Sequence, residues 1–223
     1  MLFPEISVES LRDKVVASLK DAFFSGNLRP GDMIVERQLA RQMKIGTPAI
    51  REALITLQEQ GFVQRVANTA TYVNKFTVDE VRQLYELRIE FELLALRWAK
   101  LRVSEGDLAK LEKIVDAMVE AGIQKKAKEF FERDLDFHRH CWRFSGNKFL
   151  TRSLEDLVPP LFAFVLTASD ETVHESVARQ HSRIVAALRS VPEPEFTNTV
   201  RETLSAFALT GISSMISREQ KRS

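Results

Sequence analysis

The stretch from Val35 to Gly61, VERQLARQMKIGTPAIREALITLQEQG, constrains the fold more than any other, because it encodes two short helices joined by a tight turn. The first helix is expected from Glu36 to Met43, with Leu39, Ala40 and Met43 inward at helical spacing. The second starts at Pro48 and turns Ile50, Ala53, Leu54 and Leu57 inward. Gly46 is expected to supply the turn, Thr47 to cap the second helix, and Pro48 to occupy the first helical position, where a missing N–H costs nothing. Ile50 stands where a capping box would need Glu or Gln, so Thr47 works without a reciprocal partner. The outward side near the start of the second helix then carries Ala49, Arg51 and Glu52, with Arg37 at the start of the first helix. A helix-turn-helix enters the major groove by the N-terminal part of its second helix, so Gly46, Thr47 and Pro48 permit close approach and Arg51 can reach a phosphate or a guanine edge. Any two-helix pair closed by a glycine shares this outline, and the flanks have to decide.

Ile6 to Phe24 reads as an amphipathic helix with Leu11, Val15, Leu19, Ala22 and Phe23 on one stripe, followed by a turn at Arg29-Pro30-Gly31-Asp32. After Gly61, Phe62 to Val66 and Thr71 to Val73 are short and β-branched, separated by Ala67-Asn68-Thr69-Ala70, which predicts a small hairpin, or wing. Asn68 tolerates a positive φ at its tip, and Arg65 and Thr69 are placed to touch a DNA backbone. Beyond Thr77 only helical periodicity remains, with helices predicted near 78–101, 104–121, 125–145, 147–168 (interrupted at Pro159-Pro160), 171–190 and 194–218. The expected fold is mainly α: an N-terminal winged helix-turn-helix domain over residues 1–76 and a C-terminal all-helical bundle over 77–223.

Charge alone argues weakly for nucleic acid. Net charge is +1; residues 1–76 hold 10 Lys and Arg against 8 Asp and Glu, and the remainder holds 22 against 23. Phosphate neutralisation must therefore come from charge placed on one face, doubled by dimerisation. No apolar run approaches the ~18 residues a membrane helix needs. The opening MLFPEISVES lacks a basic n-region with a long apolar core, and the single Cys141 excludes an internal disulfide, so a cytoplasmic protein is expected.

Polar residues on apolar helical stripes must find partners or lose stability, and three helices of the bundle carry them. Arg88 shares a face with Val81, Leu84, Phe91, Ala95 and Trp98, and its complement is either an anion or Glu92 at i+4, which could also orient it. Asp134 and His138 lie one turn apart on a face with Ala127, Phe131 and Cys141, a spacing that can share one metal ion. His181, on a face with Val177, Ile184 and Leu188, is a candidate third ligand from a neighbouring helix. A buried His can equally be a satisfied core residue.

Two resemblances sharpen these readings. Pro30-Gly31, Glu36-Leu39-Ala40 and Arg51-Glu52-Ala53-Leu54 resemble the winged helix-turn-helix of the GntR family of bacterial transcription regulators over about residues 8–74. Thr47 stands where the family commonly has Arg, and Asn68 where it commonly has Gly, so operator preference does not transfer. Glu86-Leu87-Arg88 with Glu92, Asp134, Phe137-His138, Ser145-Gly146-Asn147, His181, Ile184 and Ala187-Leu188 resemble the FCD-type ligand-sensing domain of the FadR-like subfamily. That resemblance implies a divalent metal (Zn, Ni or Mn) held by Asp134, His138 and His181, with Thr203 where a fourth His is expected. It also implies a small carboxylate effector bound near Arg88, Glu92, Asn147 and Thr203. The implied function is a homodimeric, metabolite-responsive regulator of double-stranded operator DNA, a repressor released by its effector and not an enzyme. A metal-dependent enzyme built on the same three residues, or a bundle serving only for dimerisation, are the alternatives.

Overall fold

The computed structural model describes residues 10–66, 70–168 and 174–220. The chain divides into two compact units, residues 1–75 and 76–223. In the first, helix α1 (Leu11–Phe24) is followed by strand β1 (Met33–Ile34), helices α2 (Glu36–Met43) and α3 (Thr47–Glu59), and strands β2 (Val63–Val66) and β3 (Ala70–Val73). Ser10 caps α1, its hydroxyl accepting from the Asp13 N–H at 3.1 Å; the expected start of this helix, Ile6 to Glu9, lies outside the described residues. Its buried stripe is Val15, Val16, Leu19 and Phe23, whereas Leu11 is exposed.

The core of this unit forms where α1 packs on α3, burying Ile50, Ala53, Leu54 and Leu57 completely, with Phe23 stacked on Phe62 at 5.4 Å. Each large apolar side chain among them contributes about 1.5–3 kcal/mol by leaving water. The wing is a three-stranded antiparallel sheet in the order β1-β3-β2, with Met33 opposite Tyr72 and Arg65 opposite Thr71. β1, too short to show a period, is an addition to the two-stranded hairpin expected from sequence. Gly31, at φ 88°, completes the turn that feeds it, donating to the Val73 carbonyl at 3.0 Å.

The turn between α2 and α3 differs from expectation. Its left-handed residue is Lys44 (φ 54°), and the N-cap of α3 is Gly46 at φ −72°, so Thr47 and Pro48 already lie in the first turn of the helix. The cause is the way α2 closes: Ile45 N–H donates back to the Ala40 carbonyl and Lys44 N–H to that of Arg41, winding the chain through the left-handed region before Gly46 is reached. Gly46 is favoured for another reason, since a Cβ there would lie 3.3 Å from Pro48 Cδ.

The second unit is helical throughout its described length: α4 (Val78–Lys100), α5 (Glu105–Ile123), α6 (Ala127–Phe144), α7 (Lys148–Ala168), α8 (His174–Ser190) and α9 (Glu195–Gln220). Thr77 with Glu80, and Ser104 with Asp107, form capping boxes that start α4 and α5. The expected interruption at Pro159-Pro160 does not occur; α7 continues through both prolines. Val158, Leu161, Phe162 and Val165 around them are buried, in a helix packed against α4, α6 and α9, and that burial outweighs the backbone bonds the prolines forgo. Helices α4, α6 and α8 pack pairwise against one another, which brings their polar positions to one place.

Candidate metal centre and nucleic-acid interface

Among the described residues, buried polar side chains of the bundle include Arg88 and Glu92 of α4, Asp134 and His138 of α6, His181 of α8 and Thr203 of α9. Arg88 Nε donates to Glu92 Oε1 at 3.1 Å, and its Nη2 lies 3.0 Å from His138 Nε2. The guanidinium sits over the Phe162 ring, 4.6 Å from the centroid. Arg88 thus meets the i+4 carboxylate anticipated for a cation on this face, and a second partner besides.

The tautomers follow from the partners. Arginine carries only donors, so His138 Nε2 accepts and its hydrogen is on Nδ1, 2.8 Å from Glu92 Oε2. His181 Nδ1 faces the Val177 carbonyl at 3.0 Å and must donate to it, which leaves its Nε2 as a lone pair. Asp134 Oδ1 stands 2.9 Å from His181 Nε2 and 3.4 Å from His138 Nε2, and the two Nε2 atoms are 3.3 Å apart. Three lone-pair donors therefore face one point with no hydrogen between them.

Among the described residues Asp134 Oδ1 and Glu92 Oε2 are both buried without a hydrogen bond of good geometry, although a buried acceptor left unsatisfied is costly. A divalent ion would satisfy the former. Given edges of 2.9, 3.3 and 3.4 Å, an ion placed about 1 Å from the plane of the three atoms lies about 2.1 Å from each, the bond length of zinc to His nitrogen and carboxylate oxygen. His138 and His181 also have outer partners on Nδ1, as metal-bound imidazoles do. The donor set fits a divalent metal.

Electrostatics keep Glu92 ionised. Burial pushes the Glu92 carboxyl up, but the Arg88 charge and His138 outweigh it and hold it down at about 2. Burial and the nearby Glu92 charge push the Cys141 thiol well above its ordinary value.

The remaining predicted residues are placed as follows. Thr203 is fully buried, and its hydroxyl donates to the Thr199 carbonyl at 2.8 Å. One turn on, Phe207 stacks on the His181 ring at 4.6 Å; sequence reasoning missed this residue, whose only signal was its helical spacing from Thr203. Asn147 starts α7, its Oδ1 accepting from the Phe149 and Leu150 N–H groups at 3.0 Å, and none of its described contacts reaches the cluster.

In the first unit, Arg37 and Arg51 are exposed, Pro48 is exposed and Thr47 half-buried at the start of α3. Arg51 Nη2 pairs with Glu36 Oε2 at 3.0 Å, and Arg65 of β2 reaches Glu36 Oε1 at 3.5 Å. Glu36 thereby links the second motif helix to the wing, a role not read from the sequence, where it served only as the first letter of a motif. Asn68 and Thr69 lie outside the described residues.

A three-helix unit with a wing, its exposed arginines at the start of the two motif helices, and a separate helical bundle with a buried donor cluster define a winged-helix transcription regulator. The chain belongs to the GntR family: the FCD domain profile matches residues 83–205, and that of the bacterial regulatory proteins of the gntR family matches residues 11–73. Among its relatives is the HTH-type transcriptional regulator YdhC of Bacillus subtilis (strain 168), 29% identical over 171 residues, covering 74% of this chain and 75% of YdhC. The Nta operon transcriptional regulator of Aminobacter aminovorans is 31% identical over 133 residues, 60% of this chain and 63% of the relative. The solved structure of E. coli McbR/YncC shares the fold at a TM-score of 0.80 and 20% identity, covering 95% of this chain and all of that one (100%). No helix among the described residues is long and apolar enough to cross a membrane.

Proposed function

We propose that this regulator is a homodimeric repressor whose bundle holds a divalent metal on Asp134, His138 and His181 and binds a small carboxylate beside it, releasing the operator when it does so. The observation that carries the reading is the convergence of three lone-pair donors on one point, with Asp134 Oδ1 lacking any hydrogen-bond partner. A bound metal supplies a positive anchor for the carboxylate. Glu92 sets the tautomer of His138, Val177 that of His181, and Arg88 offers a fixed cation within the same group of side chains. Phe137, Phe162 and Phe207 surround the imidazoles and exclude water, so charge inside the cluster is felt strongly.

On the DNA side, Arg37 and Arg51 would contact phosphates or a guanine edge, Thr47 and Pro48 would permit close approach of α3 after Gly46, and Arg65 with Asn68 and Thr69 would meet the backbone from the wing. Each winged unit would read one half-site. Regulation then follows from differential affinity of the carboxylate for DNA-bound and free arrangements of the dimer.

The test has two arms. Selection from random duplexes identifies the operator, and a panel of small carboxylates is then screened by thermal shift with zinc present. The reading predicts a carboxylate that raises Tm and weakens operator binding; stabilisation by none of them, with operator binding unaffected, would leave the bundle as a dimerisation module only.

A further inference from the structure

The cluster contains one feature that a simple metal cage does not explain. The Nε2 lone pair of His138, which a metal on these three residues needs, already accepts from Arg88 Nη2 at 3.0 Å. A neutral imidazole has one lone pair in the ring plane, so it serves one partner at a time. We propose that Arg88 and the divalent metal are alternative partners of His138 Nε2, so that metal entry displaces the Arg88 terminal nitrogen and frees it to receive an anion. The inference rests on the metal reading above and adds an order to it: metal first, carboxylate second.

The surroundings favour such an exchange over either a permanent Arg–His bond or a rigid cage. Arg88 has a second hold that does not involve His138, the bond from Nε to Glu92 Oε1 at 3.1 Å, and its guanidinium rests on the Phe162 face. The terminal nitrogen can therefore leave His138 while the side chain stays anchored. Glu92 serves both states, since its other oxygen lies 2.8 Å from His138 Nδ1 and its negative charge favours the hydrogen on that nitrogen, with Nε2 available to whichever cation arrives. Of the three acceptors in the triangle, the Arg88 donor reaches His138, while Asp134 Oδ1 remains without a hydrogen-bond partner. The arginine is thus an incomplete substitute for the ion, satisfying one corner of three.

An arginine in this role weakens metal binding, whereas removing a residue that merely supports the site would not strengthen it. Replacing a charge-assisted hydrogen bond to the ligand nitrogen with nothing should tighten zinc by about tenfold to a hundredfold. Zinc affinity is measured by chelator competition on the full chain for wild type, Arg88→Met and Arg88→Lys, the last keeping the charge without the planar donor pair. Side-chain 15N spectra of Arg88 and His138 are recorded in the wild type with and without zinc, which needs no variant to fold. The expected result is a zinc Kd at least about tenfold lower for Arg88→Met, with Arg88→Lys between it and wild type, and an Arg88 Nη signal that loses its hydrogen-bonded position when zinc moves the His138 Nε2 signal. Zinc that shifts both imidazole Nε2 signals but leaves Arg88 Nη unmoved overturns the exchange while leaving the metal site standing. Zinc that binds neither wild type nor Arg88→Met overturns the metal site and the exchange with it.

Discussion

The substitution Thr203→His restores an imidazole where the family pattern expects one, and two opposing magnitudes can be set for it. Thr203 is fully buried, and the next turn of its helix holds Phe207 against His181, so a larger ring there must displace packed neighbours. Overpacking of this kind costs about 1–3 kcal/mol in the metal-free protein. With zinc the balance should reverse, because an imidazole at 203 would add a fourth protein ligand to Asp134, His138 and His181. Each tenfold gain in zinc affinity adds about 1.4 kcal/mol to metal-dependent stabilisation, a shift of roughly 3–5 °C in Tm for a unit of this size. The assay is thermal unfolding of wild type and Thr203→His, each stripped by chelator and each saturated with zinc. The variant should melt lower than wild type when stripped and show a larger rise on zinc addition. A rise no larger than that of wild type would refute the reading that an imidazole at position 203 reaches the metal.

Other outcomes are equally specific. Arg51→Ala should weaken operator binding and reduce the slope of log affinity against log salt by about 1, with stability changed by no more than about 0.5 kcal/mol, as fluorescence anisotropy and urea unfolding would read. Lys44→Gly should stabilise the protein by up to about 1 kcal/mol, because the residue sits at φ 54° where glycine meets no steric penalty; a loss of stability would show that the Lys44 side chain contributes more than its backbone costs. Glu92 is held at about 2 against an ordinary value of 4.5. A lowered carboxyl stabilises the fold fully above its unfolded value, and that contribution is lost as pH falls from 4.5 towards 2. Unfolding free energy should fall more steeply across that window in wild type than in Glu92→Gln, and equal slopes would mean that the buried Arg88–Glu92 pair carries no such linkage.

Much of this was legible in the sequence because helical spacing is a strong signal. The inward set Ile50, Ala53, Leu54 and Leu57 was read directly, as were Arg88, Asp134, His138 and His181 as polar residues on buried faces. What the sequence withheld were features decided by closure or by tertiary packing. The left-handed residue at Lys44 follows from how α2 ends, and Gly46 drew attention away from it because glycine is the usual occupant of such a position. Pro159 and Pro160 read as a break because local rules forbid them in a helix, and only burial of the residues around them keeps α7 continuous. β1 contains two residues, too few for alternation to register. In the cluster, spacing placed Asp134 and His138 on one face, but which histidine nitrogen faces the triangle depends on partners from α4 and from the Val177 carbonyl, and those partners become visible only when the helices are packed. Glu36 was recognised as part of a motif, yet its bonds to Arg51 and Arg65 join residues 15 and 29 positions away, beyond any local pattern.

The central claim is that Asp134, His138 and His181 hold a divalent metal. Elemental mass spectrometry on protein purified without a metal-binding tag, before and after incubation with zinc, nickel or manganese, tests it most directly, with His138→Ala alongside. The account predicts about one ion per chain in the wild type and none above background in the variant. Equal metal in both proteins, or none in the wild type after incubation with all three, would contradict it.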